Sequence, residues 1–378
     1  MNGIEDYIIR LWYRDSPMLR ILHVAHSRQG CNAKVERMRA EPGLRVRLVR
    51  PPDLSLDDTL EVPVWRRGDP HRCLYGTLTF GMRRFRPHLI HVEEEPDSLA
   101  ALQACLARRA CARRARLILH TWQNQGRPLG PAVRVVLRTT FRSADAILCA
   151  NEEGQRLLRS QGFSGTTAVV LPQGVDLQVF SPIVHRRDRA AAFAVGYVGR
   201  LVPEKGCATL LEAVSRIGPP CSLTLVGEGP EERALRQLAL DCGLDGRVRF
   251  TGTLPPALLA RELAAFDVLV LPSRTTLVWK EQFGRALAEA MACGVPVVGS
   301  DSGAIPEVVG DAGLLFPEGD AGALAARLAT RRADPGLGEV LGSRGRQRAA
   351  SRFSATRLAE QTLAFYRQLA GAVAGAPS

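Results

Sequence analysis

The chain has 378 residues, of which 46% are hydrophobic and 23% are charged. This length is enough for two globular domains, each with its own core. No apolar run reaches the roughly 20 residues that a membrane-spanning helix needs, and no secretory signal is recognised. The nine cysteines include no Cys-x-x-Cys pair. This argues against a disulfide framework or a zinc site and predicts reduced thiols in a cytoplasm.

The net charge of +12 is concentrated in the first half of the chain. Residues 1–190 carry 30 Lys and Arg against 19 Asp and Glu, a net of +11, which leaves +1 for residues 191–378. A basic half beside a neutral half predicts an anionic partner for the first half. The alternative is that the arginines reflect composition alone.

In the first half, short apolar strands alternate with helical stretches, which is the pattern of βαβ units and parallel sheets. The first predicted strand begins near Met18. Residues 1–17 are therefore either an N-terminal extension, or translation begins at Met18. Helices are predicted at Ser98–Ala112 and Gly154–Gln161. The predicted strands are Arg20–Ala25, Arg45–Val49, Leu89–Val92, Arg116–Leu119, Ala146–Cys149 and Thr167–Leu171.

A polar, proline-marked segment from Pro182 to Arg189 predicts a linker between two series of strands. An amphipathic helix is predicted from Ser354 to Leu369. The predicted domains are residues 18–182 and 192–351, joined by residues 183–191 and followed by a helix and tail at 352–378. The strands of the second series are predicted at Ala192–Val198, Ser222–Val226, Val248–Phe250, Val268–Leu271 and Val295–Ser300.

Two cations, Arg200 and Lys205, lie on the loop that follows the first strand of this second series. A diphosphate ligand is an anion, and negative charge grows on its phosphate if that phosphate is the leaving group of a reaction. Cations fixed there stabilise the transition state more than the ground state. Gly199 and Gly206 flank the pair and would let the backbone approach the phosphates. The alternative is a solvated loop with ordinary surface charges.

Two carboxylates, Glu281 and Glu289, lie eight residues apart across the start of a predicted helix. At 1.5 Å rise per residue their separation is about 12 Å, the span from hexose to ribose in an extended sugar nucleotide. A carboxylate accepts two hydrogen bonds from a vicinal diol. The backbone amides of Phe283 and Gly284, near the helix N-terminus, suit sugar and phosphate oxygens. An acidic turn that complements the helix dipole would explain Glu281 but not Glu289.

Together with four further segments in the same order, these motifs resemble the retaining glycosyltransferases of family 4. The resemblance covers residues 196–317 almost continuously and the N-terminal half only loosely. It implies the GT-B fold, an α/β architecture of two doubly wound Rossmann-like domains facing a central cleft. It also implies a C-terminal helix that crosses back to the first domain. The four further segments are Leu225–Pro230, Phe250–Gly252, Asp267–Ser273 and Ser302–Glu307.

The resemblance implies a metal-independent transferase that moves a sugar from a nucleoside-diphosphate donor to an acceptor hydroxyl with retention of configuration. Arg200 and Lys205 would stabilise the leaving phosphate. Glu281 would lie beside the donor sugar and Glu289 would bind the ribose. The nucleobase would lie near Thr251 and Gly252.

No metal is expected, and no cofactor besides the nucleotide-sugar co-substrate. The expected acceptor is anionic, lipid-linked or a polysaccharide, and no nucleic acid partner is expected. The expected location is the cytoplasm, with peripheral binding at the inner membrane face.

The acceptor half departs from the family's pattern. Gln123 stands where relatives commonly carry a histidine, and an amide cannot transfer a proton, although it could hydrogen-bond the donor sugar. His120 is either a core histidine or a catalytic group. Glu93 leads an acidic run that binds acceptor hydroxyls, forms a solvated turn or holds a metal. Residues 27–34, after the first strand, hold the single glycine Gly30 where relatives usually have two.

Two other functions stay open. A nonhydrolysing sugar-nucleotide epimerase would share the architecture and the ligand, but the Glu281–Glu289 segment argues against it. A sugar-nucleotide-binding protein without transfer activity would explain the loose match of the first half. For an anionic surface, the predicted contacts are the arginines at positions 83, 84, 86, 108, 109, 113, 114 and 116.

Overall fold

The computed structural model describes residues 18–25, 31–50, 59–66, 69, 71–76, 78–183 and 192–374. The chain divides into two compact units, one of residues Met1–Gly174 with Leu358–Ser378 and one of residues Val175–Arg357. The predicted extension 1–17, the predicted linker from residue 184 and Gly30 lie outside the described residues.

Strands and helices alternate along the first unit. In chain order they are β1 (Leu19–Val24), α1 (Cys31–Arg39), β2 (Leu44–Arg50), β3 (Thr59–Glu61), β4 (Val64–Trp65), β5 (Leu74–Tyr75), α2 (Leu78–Phe85), β6 (Leu89–Val92), α3 (Leu99–Cys111), β7 (Arg116–Thr121), α4 (Pro131–Ser143), β8 (Ala146–Cys149), α5 (Glu152–Ser160) and β9 (Thr166–Val169).

The first unit's main sheet has the strand order β3-β2-β1-β6-β7-β8-β9, and its neighbouring strands are parallel. The chain runs from β1 outward through β2 and β3, then returns to β6 and runs the other way. The topological switch point is therefore between β1 and β6. The loops that follow these strands share the carboxyl edge of the sheet, where ligands bind in such folds.

The second unit repeats this plan. In chain order its elements are β10 (Phe193–Val198), a 3-10 turn (Pro203–Lys205), α6 (Cys207–Ile217), β11 (Cys221–Val226), α7 (Glu232–Asp241), β12 (Val248–Phe250), α8 (Pro256–Ala264), β13 (Val268–Leu271), α9 (Arg285–Ala292), β14 (Val297–Ser300), α10 (Ile305–Val309), β15 (Gly313–Phe316), α11 (Ala321–Ala333), α12 (Pro335–Arg348) and a π-helical turn (Ala349–Phe353), followed by α13 (Ala355–Ala374).

The second sheet has the order β12-β11-β10-β13-β14-β15, again with parallel neighbours. Its switch point lies between β10 and β13. Strands β13 and β14 are wholly buried, as expected for parallel strands covered on both faces. Two doubly wound parallel sheets confirm the predicted α/β fold class.

The C-terminal helix packs on the first unit, as predicted. Leu363 and Tyr366 of α13 join one hydrophobic cluster with Ile21 of β1. Leu22 of the same strand belongs to the other cluster, with residues of α2 and α3. Successive residues of a strand point to opposite faces, so α13 covers one face of the first sheet and α2 with α3 cover the other.

The predicted strands match the observed ones to within two residues at each end, and β3, β4, β5 and β15 had not been predicted. None of the described helices has the length and apolarity that crossing a membrane requires.

Candidate active site

The carboxyl edge of the second sheet brings a lysine and a glutamate into direct contact. Lys205 ends the 3-10 turn after β10, and its Nζ lies 2.6 Å from Oε2 of Glu281 in the loop after β13. The Ser273 hydroxyl donates to the same oxygen at 2.7 Å, and the Gly284 amide donates to Oε1 at 3.3 Å. The Lys205 and Glu281 side chains are only 14% and 8% exposed. The structure therefore has a nearly buried ion pair at the switch point.

An aromatic ring completes the environment of this lysine. Lys205 Nζ lies 4.8 Å from the centroid of the Trp279 ring, within the range of a cation–π interaction. Trp279 is fixed by a tight turn, since its amide donates to the Thr276 hydroxyl at 3.0 Å. The ammonium is thus held by both an acid and an aromatic face.

Two glycines make these loop contacts sterically feasible. Gly206 has φ +68°, and a Cβ at this position would lie 2.0 Å from the Pro272 carbonyl oxygen. Only glycine avoids that clash, so Gly206 lets the loops after β10 and β13 pack together. A Cβ on Gly303 would likewise lie 2.1 Å from the carbonyl oxygen of Glu281, which accepts the Ala304 amide at 2.9 Å. The predicted approach of Gly206 to phosphate stays a prediction, while its approach to Pro272 is observed.

Arg200 is the more accessible of the two predicted cations. Its side chain is 66% exposed, and its guanidinium lies 3.7 Å from Glu204. The neighbouring Gly199 donates its amide to Val226 at 2.9 Å, which places the start of this loop beside β11. An exposed, weakly paired guanidinium at the switch point suits a diphosphate ligand.

The loops after β11 and β12 extend the same edge. The amide of Thr251 donates to Leu225 at 3.1 Å, and the Gly227 amide donates to the Gly252 carbonyl at 2.9 Å. The Thr251 hydroxyl also donates to the Gly252 carbonyl, at 3.0 Å. The segment predicted to contact the nucleobase therefore lies on the carboxyl edge of the second sheet, one strand beyond β11.

Glu289 is a buried acid on α9, 5% exposed. Its Oε1 accepts a hydrogen bond from Arg285 Nε at 2.7 Å. Burial raises the pKa of Glu289 above its usual value, although the charge and hydrogen bond of Arg285 oppose that shift. A carboxylate so placed can accept hydrogen bonds from a ribose diol with little competition from water.

One expectation about the Glu281–Glu289 segment was wrong. Helix α9 begins at Arg285, so Glu281 lies in the preceding loop and a uniform helical rise does not give the separation of the two acids. The Gly284 amide donates to Glu281 at 3.3 Å, and its predicted contact with a ligand oxygen stays a prediction. The Phe283 ring is buried against Phe353, with centroids 5.5 Å apart, so this side chain serves the core and its amide contact stays a prediction.

In the first unit, the acidic run after β6 is mostly buried, and the idea of a solvated turn is wrong. Glu93 accepts a hydrogen bond from Lys34 Nζ at 2.8 Å and lies 3.2 Å from His23 Nε2. Burial alone would raise the pKa of Glu93, but the charges of Lys34 and His23 hold it well below its usual value. Glu94 accepts the Tyr75 hydroxyl at 2.5 Å. An acceptor hydroxyl at Glu93 would have to compete with Lys34.

A chain of buried hydrogen bonds fixes His120. Its Nε2 donates to the Val170 carbonyl at 2.8 Å, so in the neutral ring Nδ1 accepts from His91 Nε2 at 3.2 Å. His91 Nδ1 in turn accepts the Tyr366 hydroxyl at 2.5 Å. Burial lowers the pKa of His120 to about 3 and that of His91 well below its usual value. Both ring nitrogens of His120 are engaged inside the unit, which favours a core role over a sugar contact.

Among the described residues, His23, His91 and Glu93 could together hold a metal ion, with ligand atoms within 4.8 Å of one another. The Lys34 ammonium on the same Glu93 oxygen competes for that position. This arrangement fits an internally paired cluster better than a cation site.

Glu95 differs from its acidic neighbours. It is half-buried, and it accepts hydrogen bonds from the Thr121 hydroxyl at 2.5 Å and the Trp122 amide at 2.9 Å. Burial raises the pKa of Glu95 to about 7 against the effect of these donors. Gln123 lies two residues after the end of β7 and is half-buried. Its backbone amide donates to the Thr121 hydroxyl at 3.0 Å. A carboxyl that titrates near neutrality at the carboxyl edge is a feature that sequence reasoning missed.

The predicted basic contacts divide into two groups. Arg108 and Arg116 clamp Asp145 at 3.2 Å and 2.6 Å and are structural, so their assignment to an anionic surface was wrong. The others are exposed and lie in the last turns of α2 and α3 or directly after them, where the chain enters β6 and β7. They therefore lie at the amino edge of the sheet, opposite the acidic run. These exposed arginines are Arg83, Arg84, Arg86, Arg109, Arg113 and Arg114.

Family comparisons agree with this geometry. Residues 192–334 match the family described as Glycosyl transferases group 1, and residues 19–174 match the Glycosyl transferase 4-like domain. The GDP-mannose-dependent alpha-(1-6)-phosphatidylinositol monomannoside mannosyltransferase of Mycolicibacterium smegmatis is 32% identical over 260 residues, 65% of this chain and 68% of that protein. The 2-deoxystreptamine N-acetyl-D-glucosaminyltransferase of Streptomyces fradiae is 31% identical over 312 residues, 75% and 72% of the two chains. The chain belongs to the group 1, or family 4, glycosyltransferases.

Solved structures support the fold. Sucrose-phosphate synthase from Thermosynechococcus elongatus has a TM-score of 0.72 at 23% identity, covering 94% of this chain and 100% of that one. The Anabaena protein HepE in complex with UDP has a TM-score of 0.74 at 20% identity, covering 93% and 100%. The fold is GT-B, and the protein is a glycosyltransferase.

Proposed function

We propose that this chain is a retaining, metal-independent glycosyltransferase that moves a hexose from a nucleoside diphosphate to an acceptor hydroxyl in glycolipid or polysaccharide synthesis. The observation that carries the proposal is the Lys205–Glu281 ion pair at the switch point between β10 and β13. A nearly buried cation beside an acid, next to the exposed Arg200, suits the junction of a diphosphate and a sugar.

The proposed reaction needs no enzyme nucleophile. The bond between the anomeric carbon and the diphosphate oxygen breaks, and the acceptor oxygen bonds to that carbon on the same face. The acceptor proton passes to the leaving phosphate oxygen. Lys205 can donate to that oxygen through N–H groups that Glu281 does not use, and Arg200 adds a second charge as negative charge develops.

The other parts of the donor would contact further residues at the carboxyl edge of the second sheet. Glu281 would accept a hydrogen bond from a sugar hydroxyl, and Glu289 would bind the ribose. The nucleobase would lie against Thr251 and Gly252. The Mycolicibacterium relative is named as dependent on GDP-mannose, which supports a nucleoside-diphosphate donor.

An amphiphilic acceptor is supported by that relative's name, which includes a phosphatidylinositol monomannoside. The six exposed arginines at the amino edge of the first sheet suit an anionic membrane surface. We therefore propose a cytoplasmic protein that binds the inner membrane face peripherally.

The test is a donor screen by thermal shift, followed by turnover of the donor that stabilises the protein. The expected result is transfer to an added acceptor, with the donor's anomeric configuration retained by proton NMR and no effect of EDTA. An inverted product or a divalent-cation requirement would refute the mechanism. Epimerised sugar nucleotide would favour the epimerase, and binding without turnover would favour a binding protein.

A further inference from the structure

The carboxyl edge of the first sheet carries a charged cluster drawn from three separate loops. Asp97 follows β6, and its side chain is 3% exposed. Its Oδ1 lies 3.2 Å from His71 Nδ1, and its Oδ2 accepts from Arg127 Nη2 at 2.5 Å. The His71 and Arg127 side chains are 39% and 38% exposed. One buried carboxylate thus positions two accessible basic groups.

The main chain around His71 is held as firmly as its ring. The His71 amide donates to Asp69 Oδ1 at 3.0 Å, and its carbonyl accepts the Leu99 amide at 2.9 Å where α3 begins. Arg127 Nη2 also lies 3.4 Å from His71 Nδ1, so the two basic groups are adjacent. A ligand therefore meets them in a preorganised arrangement.

The charges of the cluster do not cancel when the imidazole is protonated. The hydrogen bond and charge of Asp97 raise the pKa of His71 despite partial burial and the nearby Arg127 charge. Asp97 offsets one positive charge and leaves one. The Asp69 carboxylate near the His71 amide is paired with Arg72 at 3.8 Å. Glu95, the other acid that acts on His71, has its pKa raised to about 7 by burial, so it is largely neutral below that pH. The cluster is then net positive, with donors reachable from solvent.

We propose that His71 and Arg127, positioned by Asp97, form a subsite for an oxyanion of the acceptor, either a phosphate ester or a carboxylate. The proposal rests on the proposed function, because the anion belongs to the molecule that receives the sugar. A planar guanidinium beside an imidazolium matches the oxygens of either group. The subsite is separate from the amino-edge arginines and from the donor groups Arg200 and Lys205.

The test is an NMR titration of the intact protein with sulfate, observing its labelled histidine side chains. Sulfate keeps the same charge between pH 6 and pH 8, so any pH dependence reports the protein. At pH 6 we expect a saturable shift of one imidazole resonance that is absent in His71→Gln. Arg127→Ala should weaken sulfate binding about tenfold or more. Arg138→Ala, an exposed arginine on α4, is the matched control and should not.

The pH dependence gives a second readout. The sulfate affinity measured from this resonance should fall from pH 6 to pH 8, because His71 loses positive charge and Glu95 gains negative charge. Glu95→Gln should make that fall smaller. An unmoved His71 resonance, or equal binding in Arg127→Ala and Arg138→Ala, would overturn the subsite.

The titration uses no donor, so its outcome is independent of transfer. Sulfate binding in a chain that transfers no sugar would refute the proposed function alone, and transfer without binding would refute the subsite alone. Competition by glucose 1-phosphate or by glucuronate then identifies which class of anion the subsite prefers.

Discussion

Removing one member of the Lys205–Glu281 pair should destabilise the protein. The double variant should lose less stability than the two single variants lose together. Lys205→Met leaves a carboxylate that is 8% exposed, with the Ser273 and Gly284 donors still in place. Removing one partner of a buried ion pair lowers the free energy of unfolding by on the order of 3–5 kcal/mol. Because the two donors still bind the remaining carboxylate, we expect a loss of about 3 kcal/mol. Glu281→Gln keeps the shape and the Ser273 contact, so we expect about 1–3 kcal/mol.

The double variant removes both charges together. We expect its loss to be smaller than the sum of the single losses by about 1–3 kcal/mol, because neither charge is left buried alone. Urea unfolding of the four proteins measures this coupling. Arg233→Met, an exposed cation on α7, is the control and should change stability by less than about 0.5 kcal/mol.

Turnover should follow a similar pattern. Each single variant should lose about 100-fold or more, roughly 3 kcal/mol, and the double variant should lose less than the product of the two, because groups that act as a unit are not additive. Stability losses that add to within about 0.5 kcal/mol would refute the ion pair. Near-normal turnover of Lys205→Met would refute the phosphate role.

Five further outcomes are expected. Arg200→Ala should lower turnover by about 100-fold while urea unfolding stays unchanged, because the side chain is 66% exposed on a loop; a matching loss of stability would contradict this. Glu289→Ala should mainly raise the KM for the donor, and a lower kcat with unchanged KM would count against ribose binding. The free energy of unfolding should rise with pH between about 3 and 6.5, because the unfolded chain binds protons that the buried neutral histidines exclude. Tyr366→Phe, which leaves His91 without its hydroxyl donor, should cost about 1–3 kcal/mol at neutral pH. Reversing Arg83 and Arg84 to glutamate should weaken salt-sensitive sedimentation with anionic liposomes, and unchanged sedimentation would show that the positive charge reflects composition alone.

The sequence predicted those parts of the fold that depend on local pattern. Strands such as β8 and β13 are continuous apolar runs, so they could be predicted directly. Strands β4 and β5 have two residues each, too few to show a periodicity. The start of α9 was predicted near Phe283 and Gly284 but not to the residue, although a signal was present. Gly284 has φ +80° as the N-cap, and a glycine there could have indicated that the helix begins at Arg285.

The candidate site was predicted residue by residue but not contact by contact. Lys205 and Glu281 lie 76 residues apart, and their contact depends on β10 lying next to β13 in the sheet. Asp97 is likewise separated from its partners by 26 and 30 residues. Arg108 and Arg116 looked like part of a surface run because Asp145 comes 29 residues after the second of them.

The charge of the first half therefore serves at least three different purposes. Arg108 and Arg116 hold Asp145, the exposed arginines occupy the amino edge of the sheet, and Arg127 belongs to the carboxyl edge. β1 has six residues and at about 3.3 Å per residue separates these edges by about 20 Å. The Debye length is about 10 Å at 0.1 M salt, so the two edges should act independently at physiological ionic strength. Reversing Arg83 and Arg84 should accordingly weaken liposome binding without moving the sulfate titration of His71. A shift in both would show that the first unit's charge acts as one long-range field, and the separate subsite would then lose its basis.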